Sequence, residues 1–206
     1  ILTYGFSKEA NYRISNPRYN SKYSFFDLDY KNFNNKKTKI KNVNLKLIGE
    51  HNVLNATAAL AVCINLGVKI NIIKKALKNF SGVQRRMTKI FTKNKNEFFD
   101  DYAHHPTEIS SILSAVDKAY NNRKIITVFE PHRYSRVMSL KKAFSKSFVK
   151  SDLVLLCPLY AAGEKKNLNF NLFKFANLIA KNSKTQVVLV KNQNELSNYF
   201  RKNLID

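Results

Sequence analysis

Ile125-Ile126-Thr127-Val128-Phe129, followed one residue later by Pro131-His132-Arg133-Tyr134-Ser135-Arg136, sets the architecture expected of this chain. The first segment is short, rich in β-branched residues and closed by a proline, which are the marks of a strand rather than a helix. It is apolar on consecutive positions, so both of its faces are expected to be covered, as in a parallel sheet packed between helices. The second segment is polar and dense in cations. It would sit where that strand leaves the sheet.

The same pairing recurs outward from this point. The apolar run Asp152–Leu156 leads to Tyr160-Ala161-Ala162-Gly163-Glu164, and Glu97–Asp100 runs into Asp101-Tyr102-Ala103-His104-His105-Pro106-Thr107-Glu108. Further strands are expected at Lys89–Thr92 and Gln186–Val190, with helices near Pro106–Ala119, Met138–Val149, Leu172–Lys181 and Glu195–Lys202. Strands alternating with helices imply βαβ units around a mainly parallel sheet. Polar clusters at strand exits are what such a sheet uses to build a site at its carboxyl edge.

Residues 1 to about 48 have a different rhythm, with short apolar groups (Tyr23 to Phe26, Tyr30, Phe33, Val43, Leu45, Leu47) among Asn, Lys and Ser. Period-2 alternation there suggests antiparallel strands. Leu54, Ala58, Ala61, Val62 and Leu66 then recur at helical spacing, with Gly67 as the stop and a second helix over roughly Ile70–Phe80. Ser81-Gly82-Val83 breaks the pattern, and the domain boundary is placed there. The opening Ile1-Leu2-Thr3-Tyr4-Gly5 looks like a strand already in progress, so the 206 residues are expected to be a piece of a longer protein.

The formal charge of +22 invites a nucleic-acid or anionic-membrane reading. The excess is mostly Lys, scattered singly or in pairs among Asn, which fits solvated faces better than a footprint concentrated on one element. Arg85, Arg86, Arg133 and Arg136 are different, falling in two short stretches where a planar fork for phosphate or carboxylate would be useful. Cys63 and Cys157 lie in apolar runs and read as small buried hydrophobes suited to a reducing cytosol. No run approaches the roughly 18 apolar residues of a membrane span.

Asn52 can cap the first long helix, or share a face with Asn55 near its positive end, where amides offer both a donor and an acceptor to a purine edge. Arg85 and Arg86 at the boundary are either solvated surface or phosphate ligands in a cleft. His105, Pro106 and Glu108 suit a helix start. Asp101, Tyr102 and His104 are not explained that way. Metal ligation by this chain is not expected, because the adjacent pair His104-His105 does not easily converge and neither Cys is placed to help. Arg133 and Arg136, three apart, could clamp a carboxylate with His132 as donor or proton relay, or line an exposed basic loop. The Gly positions (Gly5, Gly49, Gly67, Gly82, Gly163) make no phosphate-binding Gly-x-x-x-x-Gly-Lys-Ser/Thr loop.

Taken together, Gly49-Glu50-His51-Asn52-Val53-Leu54-Asn55-Ala56-Thr57-Ala58-Ala59, Gly82-Val83-Gln84-Arg85-Arg86 and the three strand-exit stretches quoted above resemble the ATP-dependent Mur ligases. The resemblance runs across nearly the whole chain in the family's order, and Tyr4-Gly5-Phe6-Ser7 looks like the end of a central-domain strand. Gly-x-His-Asn and Asp-Tyr-x-His-x-Pro are shared by several members. His-His-Pro-Thr-Glu with Pro-His-Arg-Tyr-Ser-Arg points to the alanine-adding branch.

The resemblance implies an α/β architecture. Residues 1–82 would be the C-terminal part of the central, ATP-binding domain (α/β with a small antiparallel part), and 83–206 a Rossmann-like C-terminal domain. It implies ATP-dependent joining of UDP-N-acetylmuramate to L-alanine through an acyl phosphate, in cytoplasmic peptidoglycan precursor synthesis, and so in cell-wall growth, shape and division. Asn52 and Asn55 would face adenine, Asp101 the ribose and Arg86 the phosphates. Tyr102, His104, His132, Arg133 and Arg136 would line the muramoyl and alanine side, with His104, His132 and both Arg in catalysis. ATP would come with Mg2+, whose main ligands, like the phosphate loop and the UDP-binding domain, lie outside this sequence, so the 206 residues alone are expected not to turn over. Neither nucleic acid nor membrane is implied as a partner. Ala103 stands where the family pattern suggests Gly. The alternatives are a basic nucleic-acid-binding protein and a related ligase for another amino acid.

Overall fold

The computed structural model describes residues 1–32 and 34–203, so Phe33 lies outside the described residues. The chain divides into two compact units, Ile1–Val83 with Lys118–Asn121, and Gln84–Asp117 with Asn122–Asp206.

In the first unit, β1 (Tyr4–Gly5) lies parallel to β2 (Tyr12–Tyr19). β2, β3 (Ser24–Lys31) and β4 (Lys37–Leu45) then form an antiparallel meander. Tyr12, Ile14, Phe26, Leu28, Ile40, Val43 and Leu45 bury one face of this sheet. Against it pack α1 (Glu50–Asn65), through Val53, Ala56, Leu60, Ala61 and Ile64, and α2 (Ile70–Asn79), through Ile73. Those α1 positions recur three or four apart, the spacing of one helix face. Gly67 ends α1 at φ 76°, its N–H bonding to the Ile64 carbonyl while the Val68 N–H bonds to Cys63. That double closure is a Schellman cap, which needs a left-handed residue at the Gly67 position.

The odd residue in this sheet is Asp27, an almost fully buried carboxylate in the middle of β3. Both neighbouring strands bulge beside it, at Asn16 (φ 51°) and Asn42 (φ 54°). The Asp27 carboxylate accepts the Asn42 backbone N–H at 2.8 Å and the Asn16 side-chain amide at 2.9 Å, with the Lys39 ammonium at 3.4 Å. These contacts, led by the Asn42 N–H and then Asn16, hold its pKa below the usual carboxylate value.

In the second unit, β5 (Thr88–Lys93) and β6 (Asn96–Asp100) form an antiparallel hairpin. The remaining strands, β7 (Ile126–Phe129), β8 (Leu153–Leu156) and β9 (Gln186–Leu189), form a parallel sheet in that order. Every residue of β8 is buried. Val154 and Leu156 face a core shared with α3 (Pro106–Ala119), α4 (Tyr134–Ser139), α5 (Lys141–Phe144) and α6 (Leu172–Ser183). Leu153 and Leu155 face Leu196, Tyr199 and Phe200 of α7 (Gln193–Asn203). Helical layers therefore cover both faces of β8, the α/β arrangement that a continuously apolar strand implies. β7, at the edge of the order, leaves Val128 exposed instead of covered on both faces as expected.

Three local expectations change. β6 pairs with β5 among the described residues, because Asn94 (φ 49°) and Lys95 (φ 61°) make a two-residue turn of the left-handed kind that matches strand twist. The helix expected over Met138–Val149 starts earlier and is interrupted at Leu140, and the turns that follow bury Phe144 and Phe148 beside Val137. Cys63 and Cys157 are half-buried free thiols rather than core residues.

Asp27→Ala should lower the stability of the first unit by about 1–3 kcal/mol, because the Asn42 N–H loses its acceptor in a buried place. The native pKa is depressed, so the stabilisation is complete above the unfolded value of about 4 and is lost as pH falls through the native one. Urea midpoints of wild type and variant should therefore converge on acidification; divergence would refute this account.

Candidate functional site

In the first unit, two of the candidate residues lie at the start of α1. Gly49, at φ 98°, occupies the N-cap position and Asn52 lies inside the first turn, so the capping role considered for Asn52 is not the one it plays. Its side-chain amide instead donates to the Ile48 carbonyl at 2.9 Å, leaving its oxygen as an acceptor. Asn55, exposed, stands one turn further on the same side.

In the second unit, by itself, the other candidate residues lie on three loops, the first following β6. Asp101 is tied on both oxygens, accepting the Met87 N–H at 2.7 Å and the Ala103 N–H at 2.7 Å. The Tyr102 N–H reaches back to the Arg85 carbonyl at 2.8 Å, and the Arg85 guanidinium lies 4.6 Å above the Tyr102 ring and 3.6 Å from Asp100. These contacts close the start of β5 onto the exit of β6. The ring of His104 meets Tyr102 edge to face at 5.0 Å, and its Nδ1 lies 2.9 Å from the Tyr102 carbonyl. A carbonyl only accepts, so Nδ1 carries the proton and Nε2 of the neutral ring is left as an acceptor.

Glu108 organises the turn into α3. Its carboxylate takes the His104 N–H at 3.0 Å and the His105 N–H at 3.2 Å, while its other oxygen lies 3.7 Å from Arg86. This is the backward half of a capping box, with His105 as the cap whose Nδ1 accepts the Thr107 N–H. Burial pushes the Glu108 carboxyl up, but the His104 and His105 amides, with the Arg86 charge behind them, outweigh it and leave the pKa below its ordinary value.

The second and third loops are joined. His132 bridges to Tyr160 in parallel fashion, the Arg133 N–H donates to the Tyr160 carbonyl at 2.9 Å, and the Tyr160 N–H to the Pro131 carbonyl at 2.8 Å. The exits of β7 and β8 thus extend the sheet's own pairing beyond its carboxyl edge. Arg133 sits at φ 67° as the N-cap of α4, a conformation that costs a non-glycine residue about 1–3 kcal/mol. His132 Nε2 lies 3.1 Å from Glu130, so it donates to that carboxylate and takes the opposite tautomer to His104. Among the described residues, neither the Arg133 nor the Arg136 guanidinium is ion-paired.

Asp101, Tyr102, His104 and Arg86 are therefore brought together through Glu108 and Arg85, and His132, Arg133 and Arg136 share the adjoining loops of β7 and β8. Ala103 packs on the same core as Phe129 and Leu159, so both groups stand on one support. Asn52 and Asn55 belong to the first unit. Sequence reasoning missed Glu130, although a carboxylate two residues before a histidine at a strand exit is a readable signal. It also missed that Glu108 reaches Arg86, which no spacing shows. Among the described residues no three His, Cys, Asp or Glu side chains are placed to hold a metal.

Glu108→Ala should lower the stability of the second unit by about 0.5–2 kcal/mol, as loss of a helix cap does. Hydrogen exchange at the His104 and His105 amides should quicken with it; unchanged exchange there would show that the cap does not hold this loop.

Comparison with known proteins gives two family matches. Residues 85–204 match the Mur ligase, glutamate ligase domain, and residues 1–63 the Mur ligase middle domain. A UDP-N-acetylmuramate–L-alanine ligase of Pelagibacter ubique is 47% identical over 97% of this chain and 43% of its own length. The protein of the same name from Vesicomyosocius okutanii is 38% identical over 95% of this chain and 42% of its own. The solved UDP-N-acetylmuramate-alanine ligase MurC of Thermotoga maritima superposes with TM-score 0.76 at 26% identity, covering 96% of this chain and 41% of that one. The chain thus spans less than half the length of the curated relatives it matches.

Proposed function

We propose that this chain, which belongs to the Mur ligase family, is the middle-to-C-terminal portion of an ATP-dependent UDP-N-acetylmuramate–L-alanine ligase acting in cytoplasmic peptidoglycan precursor synthesis. The observation that carries this is the 47% identity to a ligase of that name along almost the whole chain. The site geometry supports it independently of any name. No described helix is long and apolar enough to cross a membrane, which suits a chain handling water-soluble substrates.

In this reading the muramoyl carboxylate attacks the terminal phosphorus of ATP, giving an acyl phosphate and ADP. The amine of L-alanine then adds to the acyl carbon, loses a proton and expels phosphate. Such steps gain chiefly from placing the reactants and neutralising charge. Asn52 and Asn55 would meet adenine through amide groups that both donate and accept. Asp101 would take ribose hydroxyls; each of its oxygens has a second lone pair beyond the backbone N–H it already accepts, so the carboxylate is stiffly pre-set. Arg86, held beside Glu108, would face the phosphates. Mg2+ would accompany those phosphates, and the described side chains of this chain form no cage for it.

On the amino-acid side, the unpaired Arg133 and Arg136 would grip the alanine carboxylate by bidentate hydrogen bonds. Tyr102 and His132 would shape the pocket around the muramoyl and alanine groups. His104, with Nε2 left as an acceptor, is the group suited to take the proton released by the attacking amine.

The test uses a full-length enzyme containing this portion. Asp101→Ala should raise the KM for ATP, and Arg133→Ala or Arg136→Ala the KM for L-alanine, each about tenfold or more, the worth of one charged hydrogen bond. Both effects falling on the same substrate would break the assignment. The isolated 206 residues should release no ADP in response to alanine. Offering other amino acids in the same assay separates an alanine ligase from a relative with another acceptor.

A further inference from the structure

We infer that Glu164 is a positioning residue for the amino-acid carboxylate: it locks the loop that carries Arg133 and Arg136 into the shape in which both guanidinium groups are offered to substrate. This rests on the reading of those two arginines given above.

Arg133 stands at φ 67° and ψ 123°, where a side chain is disfavoured, so something outside the loop has to hold it there. The main-chain bonds to Tyr160 hold one side of the turn. Glu164 holds the other. Its carboxylate accepts the Ser135 N–H at 3.0 Å with one oxygen and the Ser135 hydroxyl with the other. The Ser135 hydroxyl and N–H, with the Arg133 charge behind them, hold its pKa below the ordinary carboxylate value. The segment that presents Glu164 is itself turned for the purpose: Ala162 and Gly163 follow each other at φ 50° and 86°, and the Glu164 N–H closes onto the Ala161 carbonyl at 3.1 Å.

The arrangement decides which groups can hold an incoming carboxylate. The backbone donor at Ser135, in the first turn of α4, is already taken by Glu164. A substrate carboxylate is left with the Arg133 and Arg136 guanidinium groups, neither of which forms a salt bridge among the described residues. Without Glu164 that backbone donor would be free, and Arg133 could relax toward an ordinary backbone conformation that carries its guanidinium away. The carboxylate lies at the surface and joins two loops rather than filling a core, so its loss should be felt in binding more than in folding.

The experiment compares Glu164→Ala, Glu164→Gln and Arg133→Ala in the full-length enzyme, measuring KM for each substrate, kcat and the melting temperature. Glu164→Ala should raise the KM for L-alanine about tenfold or more, the scale on which a small misplacement acts. KM for ATP and for the UDP-sugar should stay within about twofold, and the melting temperature within about 2 °C, as for a surface change. Glu164→Gln should fall between, because its amide keeps one acceptor for Ser135 but turns an NH2 toward the second donor. In the 206-residue chain, exchange of the Arg133 and Ser135 amides should quicken in Glu164→Ala.

An unchanged alanine KM in Glu164→Ala, beside a raised one in Arg133→Ala, overturns the role of Glu164 and leaves the alanine site standing. An unchanged alanine KM in Arg133→Ala overturns both. A uniform rise in every KM with a lowered melting temperature marks Glu164 as merely structural and overturns the inference too.

Discussion

The second unit depends on the burial of Leu153–Leu156 on both faces. A strand with no face toward water accepts no polar side chain along its length. The polar residues of its neighbourhood are therefore confined to its ends. Helical layers on both sides follow from the same constraint, since each face of the strand has to be covered. The carboxyl ends of β7 and β8 are where the chain becomes polar, and there Glu130 to Arg136 and Tyr160 to Glu164 lie next to each other through the His132–Tyr160 bridge.

Carboxylates aimed at backbone N–H groups recur at these exits. Asp101 holds Met87 and Ala103, Glu108 holds His104 and His105, and Glu164 holds Ser135. Ionised acceptors make strong, short bonds with such donors, so a few of them stiffen a loop that has little core of its own. They also use up the acidic groups. In a chain with 36 Lys and Arg against 14 Asp and Glu, that leaves Arg133 and Arg136 without a salt bridge among the described residues. Asp27 does the same in the first unit, where one carboxylate pins a bulge on each neighbouring strand.

The two histidines show how backbone and carboxylate neighbours divide labour between like residues. The Tyr102 carbonyl fixes the proton of His104 on Nδ1, and Glu130 fixes that of His132 on Nε2. One ring then offers Nε2 as an acceptor and the other Nδ1, so the pair is not interchangeable.

The strand and helix types and the stop at Gly67 were legible along the chain. Those features depend on periodicity, on turn-forming residues and on short motifs, all local in the chain. Sequence reasoning misplaced the cap of α1, where Gly49 took the position that Asn52 suited equally well on spacing. It joined α4 and α5 into one helix, because the burial of Phe144 and Phe148 that bends the chain is not local. The pairing of β5 with β6 as a hairpin, the approach of Glu108 to Arg86 and the reach of Glu164 to Ser135 across 29 positions of chain came from packing. Contacts of that kind depend on which loops the packed sheet brings side by side, and no period or spacing along the chain encodes them.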